Sequence, residues 1–268
     1  MSSPGVSVVL PVRNGERFLA EAIESVVEQA DELIVVDDGS TDGSAEIAQR
    51  LGATVLRQEP LGLVAALTRG IEQSSAPYIA RMDADDVSLP KRLARQVEFL
   101  DANPRTAFVA PGVEVIDEAG VRMKEIVLPP DDASLRRRIL LRNPFTHGSV
   151  VLRRAALDSV GGYRADYGAN EDYDLWRRLA REWELAALPD ILYRYRRHAA
   201  AATVTDPERI SQRERLRTEL WQEPMLLRAL WGERDSAEAK ALTREAVRRR
   251  RPRAALRAAA GYLASASS

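Results

Sequence analysis

Asp83, Asp85 and Asp86 stand in the run Arg81-Met-Asp-Ala-Asp-Asp86, directly after the apolar triplet Tyr78-Ile-Ala80. An apolar segment that reads as a buried strand gains nothing in packing from ending in three carboxylates. Two such charges roughly 4 Å apart repel by about 4 kcal/mol at intermediate dielectric. A hard divalent cation, Mg²⁺ or Mn²⁺, takes oxygen ligands and offsets that repulsion. The alternative is a solvated acidic loop ahead of the next helix, for which Ser88-Leu-Pro90 is a suitable start.

The elements around this loop follow from two alternating periods. Val6 to Val12 is short, dense and β-branched, the pattern of a buried strand. Glu16 to Gln29 places Phe18, Leu19, Ala22, Ile23, Val26 and Val27 on one helical stripe. Leu33–Val36 reads as a strand, Ala45–Leu51 as a helix closed by Gly52, and Ala53–Leu56 as a strand. Leu63–Ile71 reads as a helix and Tyr78–Ala80 as a fourth strand. This order predicts an α/β fold, a mostly parallel Rossmann-like sheet flanked by helices. Ligands of such sheets bind outside the carboxyl ends of the strands. Arg13-Asn-Gly-Glu16, Asp37-Asp38 and Asp83-Ala-Asp-Asp86 all fall there.

Composition narrows the class. The chain has 268 residues, 45% of them apolar, and a formal charge of -1, which argues against general nucleic-acid binding. It has no cysteine, so disulfides and thiolate metal sites are excluded. No apolar run approaches a membrane span, and Met1-Ser-Ser-Pro-Gly5 lacks the basic region of a signal peptide. The expectation is a cytoplasmic protein. The sequence contains no G-x-G-x-x-G after the first strand, no phosphate-loop motif, no H-E-x-x-H and no G-x-S-x-G.

Four segments occur in a telling order: Val8-Val-Leu-Pro-Val-Arg-Asn-Gly-Glu16, Ile34-Val-Val-Asp-Asp-Gly-Ser-Thr-Asp42, Asp83-Ala-Asp-Asp86 and Asn170-Glu-Asp-Tyr-Asp-Leu-Trp176. Together they resemble the family 2 glycosyltransferases of the GT-A fold. The resemblance covers roughly residues 6 to 205. It implies a nucleoside-diphosphate sugar donor (a UDP-sugar favoured), a divalent metal and inversion at the anomeric carbon. It also implies an acceptor hydroxyl on a sugar, a lipid-linked glycan or another molecule. The expected domain spans 1–205, with nucleotide-sugar binding in about 1–110 and the acceptor side and catalytic base in 111–205.

The resemblance places Pro11, Val12, Arg13 and Asn14 around the nucleobase, with Glu16 reaching base or ribose. Many relatives carry an aromatic at the position of Arg13, and a guanidinium can also stack on a base. The residues alone allow another reading, in which Asn14-Gly15 is a turn and Glu16 opens a helix. Asp38 would accept a nucleobase N–H, as an ionised carboxylate can. Asp37, Ser40, Thr41 and Asp42 read as loop and cap residues. Asp85 is the first choice for a direct metal ligand. Asp83 would meet ribose or metal, Ala84 lies between them on the donor, and Asp86 could serve either way. Arg81 would stabilise the leaving group or pair with the acidic cluster. Asp172 matches the family's base position, and Glu171 would orient the acceptor. Asn170 and its neighbours can also cap the helix through Leu175, Trp176 and Leu179, and Trp176 reads as core.

The sequence has two histidines. The resemblance favours His198 over His147 as a metal or diphosphate contact, and the arginines around His198 could hold diphosphate or form a solvated edge. From Asp206 to residue 268 the chain reads as a helical extension with a basic run, Arg248-Arg-Arg-Arg-Pro-Arg253. This segment could pack on the domain, form a homodimer or touch an anionic membrane. Two other classes share features of the pattern: a sugar nucleotidyltransferase and a non-catalytic nucleotide-sugar-binding protein. The first should carry a Gly-rich basic loop after the first strand, for which Arg13-Asn-Gly-Glu16 is a poor substitute.

Overall fold

The computed structural model describes residues 5–199. Strand β1 (Val6–Val12) is buried at every position. Val8 and Leu10 enter one core and Val9 the other, so the strand is covered on both faces, as its unbroken apolar run requires. Helix α1 (Glu16–Val26) buries Leu19, Ala22, Ile23 and Val26, and a 3₁₀ turn, Val27–Gln29, ends it. The chain continues through β2 (Glu32–Asp38), α2 (Ser44–Arg50), β3 (Thr54–Gln58), α3 (Leu63–Gln73) and β4 (Tyr78–Arg81). The pairs β1–β2, β1–β4 and β2–β3 are all parallel. Gly52 takes φ +84° after α2, the left-handed helix exit that glycine favours.

The second half adds β5 (Val87–Ser88), α4 (Arg92–Ala102), β6 (Thr106–Ile116), β7 (Arg122–Ile126) and α5 (Asp132–Leu141). It ends with β8 (Val151–Arg153), α6 (Arg154–Ser159), α7 (Glu171–Glu182) and β9 (Glu184–Arg196). The sheet runs β3-β2-β1-β4-β8-β6-β9-β5, with β7 beside β6. β8 is antiparallel to both β4 and β6, whereas β6 and β9 are parallel. The parallel half is the part the alternating periods predict. The mixed half arises because β8 turns back between strands distant in sequence.

One helix start needs correction. Ser88 does not open the helix after the acidic loop. Val87 and Ser88 pair with Arg194 and Tyr193 of β9, and α4 begins at Arg92 after Lys91 at φ 68°. The Leu89 N–H donating to the Leu192 carbonyl prolongs that pairing. The acidic loop is therefore pinned between β4 and a strand more than 100 residues later, which a capped helix start would not achieve.

Two cores flank the sheet. On one face Leu67, Phe108, Leu135, Phe145, Trp176 and Leu179 pack together. On the other Leu19, Ile23, Leu93, Val97 and Leu100 cover Val8 and Leu10. Trp176 is fully buried, its ring centroid 4.3 Å from that of Phe108, in keeping with a core residue. Among the described residues no helix is long and apolar enough to cross a membrane. The expected helical extension, 206–268, and the dimer or membrane contact assigned to it lie outside the described residues.

Candidate active site

The loops leaving β1 and β2 are stitched together. Asn14, at φ 52°, accepts from the Thr41 N–H through Oδ1 at 2.8 Å and donates its own N–H to Ser40 Oγ at 3.0 Å. The Gly15 N–H donates to Ser44 Oγ and the Glu16 N–H to Asp42 Oδ2. Glu16 Oε2 accepts from the Gly43 N–H at 2.9 Å. Asp37 Oδ1 accepts from the Ser40 N–H at 2.9 Å. The loop roles read for Asp37, Ser40, Thr41 and Asp42 thus correspond to observed bonds. Glu16 shares in the stitching. Pro11 and Val12 are buried beneath these loops and Arg13 is exposed above them. The loop after β4 approaches the same place: a Cβ on Gly15 would lie 3.6 Å from that of Ala84.

Asp38 carries a second task. It is buried, and its Oδ1 accepts from Gln58 Nε2 at 2.7 Å and the Leu61 N–H at 2.8 Å. Its Oδ2 accepts from the Gly62 N–H at 2.9 Å. One carboxylate therefore folds the loop between β3 and α3 against the end of β2.

The acidic loop is compact. Asp83, Asp85 and Asp86 can each offer a carboxylate oxygen with all three within 4.8 Å of one another. Asp83 pairs with Arg81, whose side chain is 4% exposed. Burial works against the Arg81 charge, and neighbouring Asp83 outweighs it, so the guanidinium holds its proton above its ordinary range. Burial, then repulsion from Asp83, raises the Asp85 carboxyl above 3.8, and His198 works against the rise. Burial followed by Asp83 and Asp85 pushes Asp86 further up. The Asp86 Oδ2 atom is buried with no hydrogen-bond partner. Three crowded carboxylates, two of them held from their ionised form and one with an orphaned oxygen, fit a divalent cation. A cation would have Asp85, Asp83 and Asp86 oxygens and a histidine nitrogen to choose from.

His198 reaches this loop, with Nε2 2.8 Å from Asp85 Oδ2 and its ring 5.1 Å from Phe18. An open cavity of about 590 Å³ borders it, lined also by Glu118, Met123 and Arg197. Arg196 is neither a solvated edge nor free for diphosphate. It is buried, donating Nε–H to the Asp85 carbonyl, its backbone N–H to Asp86 Oδ1 and Nη2 to Glu21.

Raised carboxyl pKa values make cation binding proton-linked. The folded, metal-free loop holds protons at a pH where free aspartates have lost them, and a cation must displace them. We expect Mn²⁺ affinity to fall as pH is lowered toward the carboxyl range, with the fall beginning above the pH at which free aspartates take up protons. The metal-free fold gains stability over the same window, because its native state binds the extra protons. Calorimetric Mn²⁺ titration at several pH values checks this; a pH-independent affinity contradicts it.

A second cluster forms at the start of α7. Glu171 and Asp172 are each 4% exposed. Asp172 Oδ2 accepts from Asn143 Nδ2 at 2.5 Å, and Oδ1 accepts from the Tyr173 N–H. Asn170 sits at the N-cap without a side-chain capping bond, so the acidic first turn faces the positive end of the helix directly. His147 Nδ1 lies 3.4 Å from Glu171 Oε1, and its Nε2 is 2.7 Å from Tyr163 Oη. His147, set lower than His198 as a metal contact, thus stands beside Glu171.

The 3₁₀ turn His147–Ser149 connects the two clusters. A Cβ on Gly148 would fall 2.4 Å from Tyr193 Oη, 2.7 Å from Asp83 Oδ2 and 2.9 Å from Arg81 Nη1. A side chain there would displace the ends of these three side chains. Tyr163, pushed above its ordinary range by burial, feels the charges of Arg81, Glu171, Asp172 and Asp83 together. The sequence pattern does not single out Asn143, Gly148, Tyr163, Tyr193 or Arg196. For Asn143 and Gly148 the signal was the segment Asn143-Pro-Phe-Thr-His-Gly-Ser149, polar and glycine-containing ahead of a strand.

Residues 7–161 match the family model described as Glycosyl transferase family 2. EpsE of Bacillus subtilis (strain 168) is 35% identical over 213 residues, 75% of this chain and 76% of that protein. The amylovoran biosynthesis glycosyltransferase AmsE of Erwinia amylovora is 32% identical over 203 residues, 71% of this chain and 75% of that protein. Among solved structures, the fold superposes on S. aureus TarS in complex with UDP-GlcNAc with a TM-score of 0.66 at 19% identity, covering 90% of this chain and 71% of that one. It also superposes on the mannosyltransferase PcManGT of Pyrobaculum calidifontis, in complex with GDP-Man and Mn²⁺, with a TM-score of 0.61 at 22% identity. That match covers 99% of this chain and 76% of the other. The fold is GT-A-like.

Proposed function

The chain belongs to glycosyl transferase family 2, and on that premise we propose an inverting, metal-assisted transfer of a sugar from a nucleoside-diphosphate donor to an acceptor hydroxyl. The observation that carries this reading is the pairing of two clusters across the Gly148 turn: three crowded carboxylates on one side, a buried Glu171–Asp172 pair on the other.

Asp172 takes the proton from the acceptor hydroxyl as its oxygen attacks the anomeric carbon. Asn143 fixes the orientation of that carboxylate, and Glu171, beside His147, orients the acceptor. The nucleoside diphosphate leaves on the opposite side, which inverts the centre. Asp85, Asp83 and His198 would hold the Mg²⁺ or Mn²⁺. The cation supplies charge stabilisation to the leaving diphosphate. Pro11, Val12, Arg13, Asn14 and Glu16 form the nucleobase and ribose side, with Asp38, Arg81 and Ala84 toward the donor. A UDP-sugar is the favoured donor, supported by the UDP-GlcNAc complex of the TarS neighbour. The Mn²⁺ in the mannosyltransferase complex supports the metal. We assign residues 1–205 to this domain, with about 1–110 facing the donor and 111–205 the acceptor.

A thermal-shift screen of nucleoside diphosphates with and without Mn²⁺ tests the reading. Stabilisation by one of them that grows with Mn²⁺ is expected. No stabilisation by any of them, with metal present, contradicts it.

Asp38→Ala should weaken nucleoside diphosphate binding even without metal, by about 1.5–3 kcal/mol for a lost charged hydrogen bond. It should also lower thermal stability, because the Leu61 and Gly62 N–H groups lose the acceptor that ties their loop to the end of β2. Calorimetry and a melting curve on the same preparation separate the two effects. A stability loss with unchanged nucleotide affinity would confine Asp38 to the loop.

A further inference from the structure

Arg92 is 0% exposed, and among the described residues no carboxylate pairs with it. Its Nη2 donates to the Arg81 carbonyl at 2.8 Å and the Gly148 carbonyl at 3.2 Å. Its Nε–H donates to Gln96 Oε1, whose amide in turn donates to the Val109 and Ser149 carbonyls. The guanidinium lies over the Tyr193 ring, 4.7 Å from its centroid. Tyr193 Oη accepts from the Asp83 N–H at 3.3 Å. Burial lowers the Arg92 pKa to about 10, which leaves it charged at neutral pH.

A buried cation without an ion pair costs the fold free energy, so packing does not account for it. What it does is specific. The end of β4, the turn 147–149 and β9 each bear part of the site, and Arg92 touches all three. One terminal nitrogen bonding two carbonyls, an Nε–H held by Gln96 and a plane lying over a phenol ring are together a set that lysine, with one nitrogen and no plane, cannot reproduce.

We propose that Arg92 is a positioning residue that sets the geometry of the Asp83–Asp86 loop for cation binding. It acts from beneath, through the Arg81 and Gly148 carbonyls and the Tyr193 ring. This inference rests on the reading of that loop as a cation site. Removing the guanidinium frees the turn and the β4 end to part, and the three carboxylates lose their mutual placement.

The test is Mn²⁺ titration of the full chain, followed by electron paramagnetic resonance without donor, for wild type, Arg92→Lys and Gln96→Met. Arg92→Lys that still unfolds cooperatively should bind Mn²⁺ roughly 10- to 100-fold more weakly, the scale of outer-shell partners. Its half-saturating Mn²⁺ for transfer should rise in parallel, while kcat at saturating Mn²⁺ returns toward wild type. A role confined to folding would lower the melting temperature and leave Mn²⁺ affinity alone, and that outcome overturns the proposal. Should Arg92→Lys not fold, Gln96→Met decides, since it removes the acceptor that holds the Arg92 Nε–H and leaves the Tyr193 hydroxyl in place: weaker Mn²⁺ binding upholds the role of Arg92, and wild-type binding overturns it. Wild-type protein that binds no Mn²⁺ rejects the cation site itself, and this inference with it.

Discussion

Asp172→Asn slows sugar transfer by roughly 10² or more while leaving donor affinity near wild type, the scale of general-base assistance. The substitution keeps the shape of the side chain and its place at the start of α7. It removes the charge that can accept a proton. Both Asp172 oxygens accept, from Asn143 and from the Tyr173 N–H, and the single oxygen of the variant keeps one of these bonds. Glu171→Gln should be milder if, as proposed, Glu171 beside His147 orients the acceptor and leaves the proton to Asp172. Single-turnover transfer and donor affinity, measured on both variants, decide the roles. A fast Asp172→Asn enzyme beside a dead Glu171→Gln enzyme would assign the base to Glu171.

Asp85→Asn abolishes metal-dependent donor binding and depresses transfer strongly. Asp85 is the carboxylate that His198 meets, at 2.8 Å, and it lies among the three whose oxygens converge. Loss of a direct ligand should exceed the roughly 10- to 100-fold typical of an outer partner. Nucleoside diphosphate binding without metal should change little, because the proposed nucleobase side lies on the loops after β1 and β2. Calorimetry with Mn²⁺, then with the nucleotide alone and with both, resolves the two contributions. Unchanged Mn²⁺ affinity and unchanged nucleotide-sugar affinity would remove Asp85 from the ligand set.

The two variants probe opposite sides of one turn, and the contrast shows what a sequence carries. The first four strands and their helices are legible because each buried parallel strand is a continuous apolar run and each covering helix an apolar stripe. The acidic loop is legible for the opposite reason: Asp83, Asp85 and Asp86 contradict the burial of the strand they end. β5 is not legible. Two residues, Val87 and Ser88, carry no period, and their strand character comes wholly from β9. The burial of Arg92 and Arg196 is not legible, since the partners that hold them are mostly backbone carbonyls, which no side-chain pattern reveals. Asp38 is readable as a carboxylate at a strand end, yet its grip on Leu61 and Gly62 is not. Gly148 looks like any loop glycine until Tyr193, Asp83 and Arg81 close around it.

These features converge on one claim, that Asp172 drives a direct displacement at the anomeric carbon. The most direct test is the configuration of the product. Wild-type protein, Mn²⁺, a sugar donor built on the nucleotide that stabilises it and a hydroxyl acceptor are followed by proton NMR. The predicted product has the anomeric configuration opposite to that of the donor. A product that retains the donor's configuration contradicts the account.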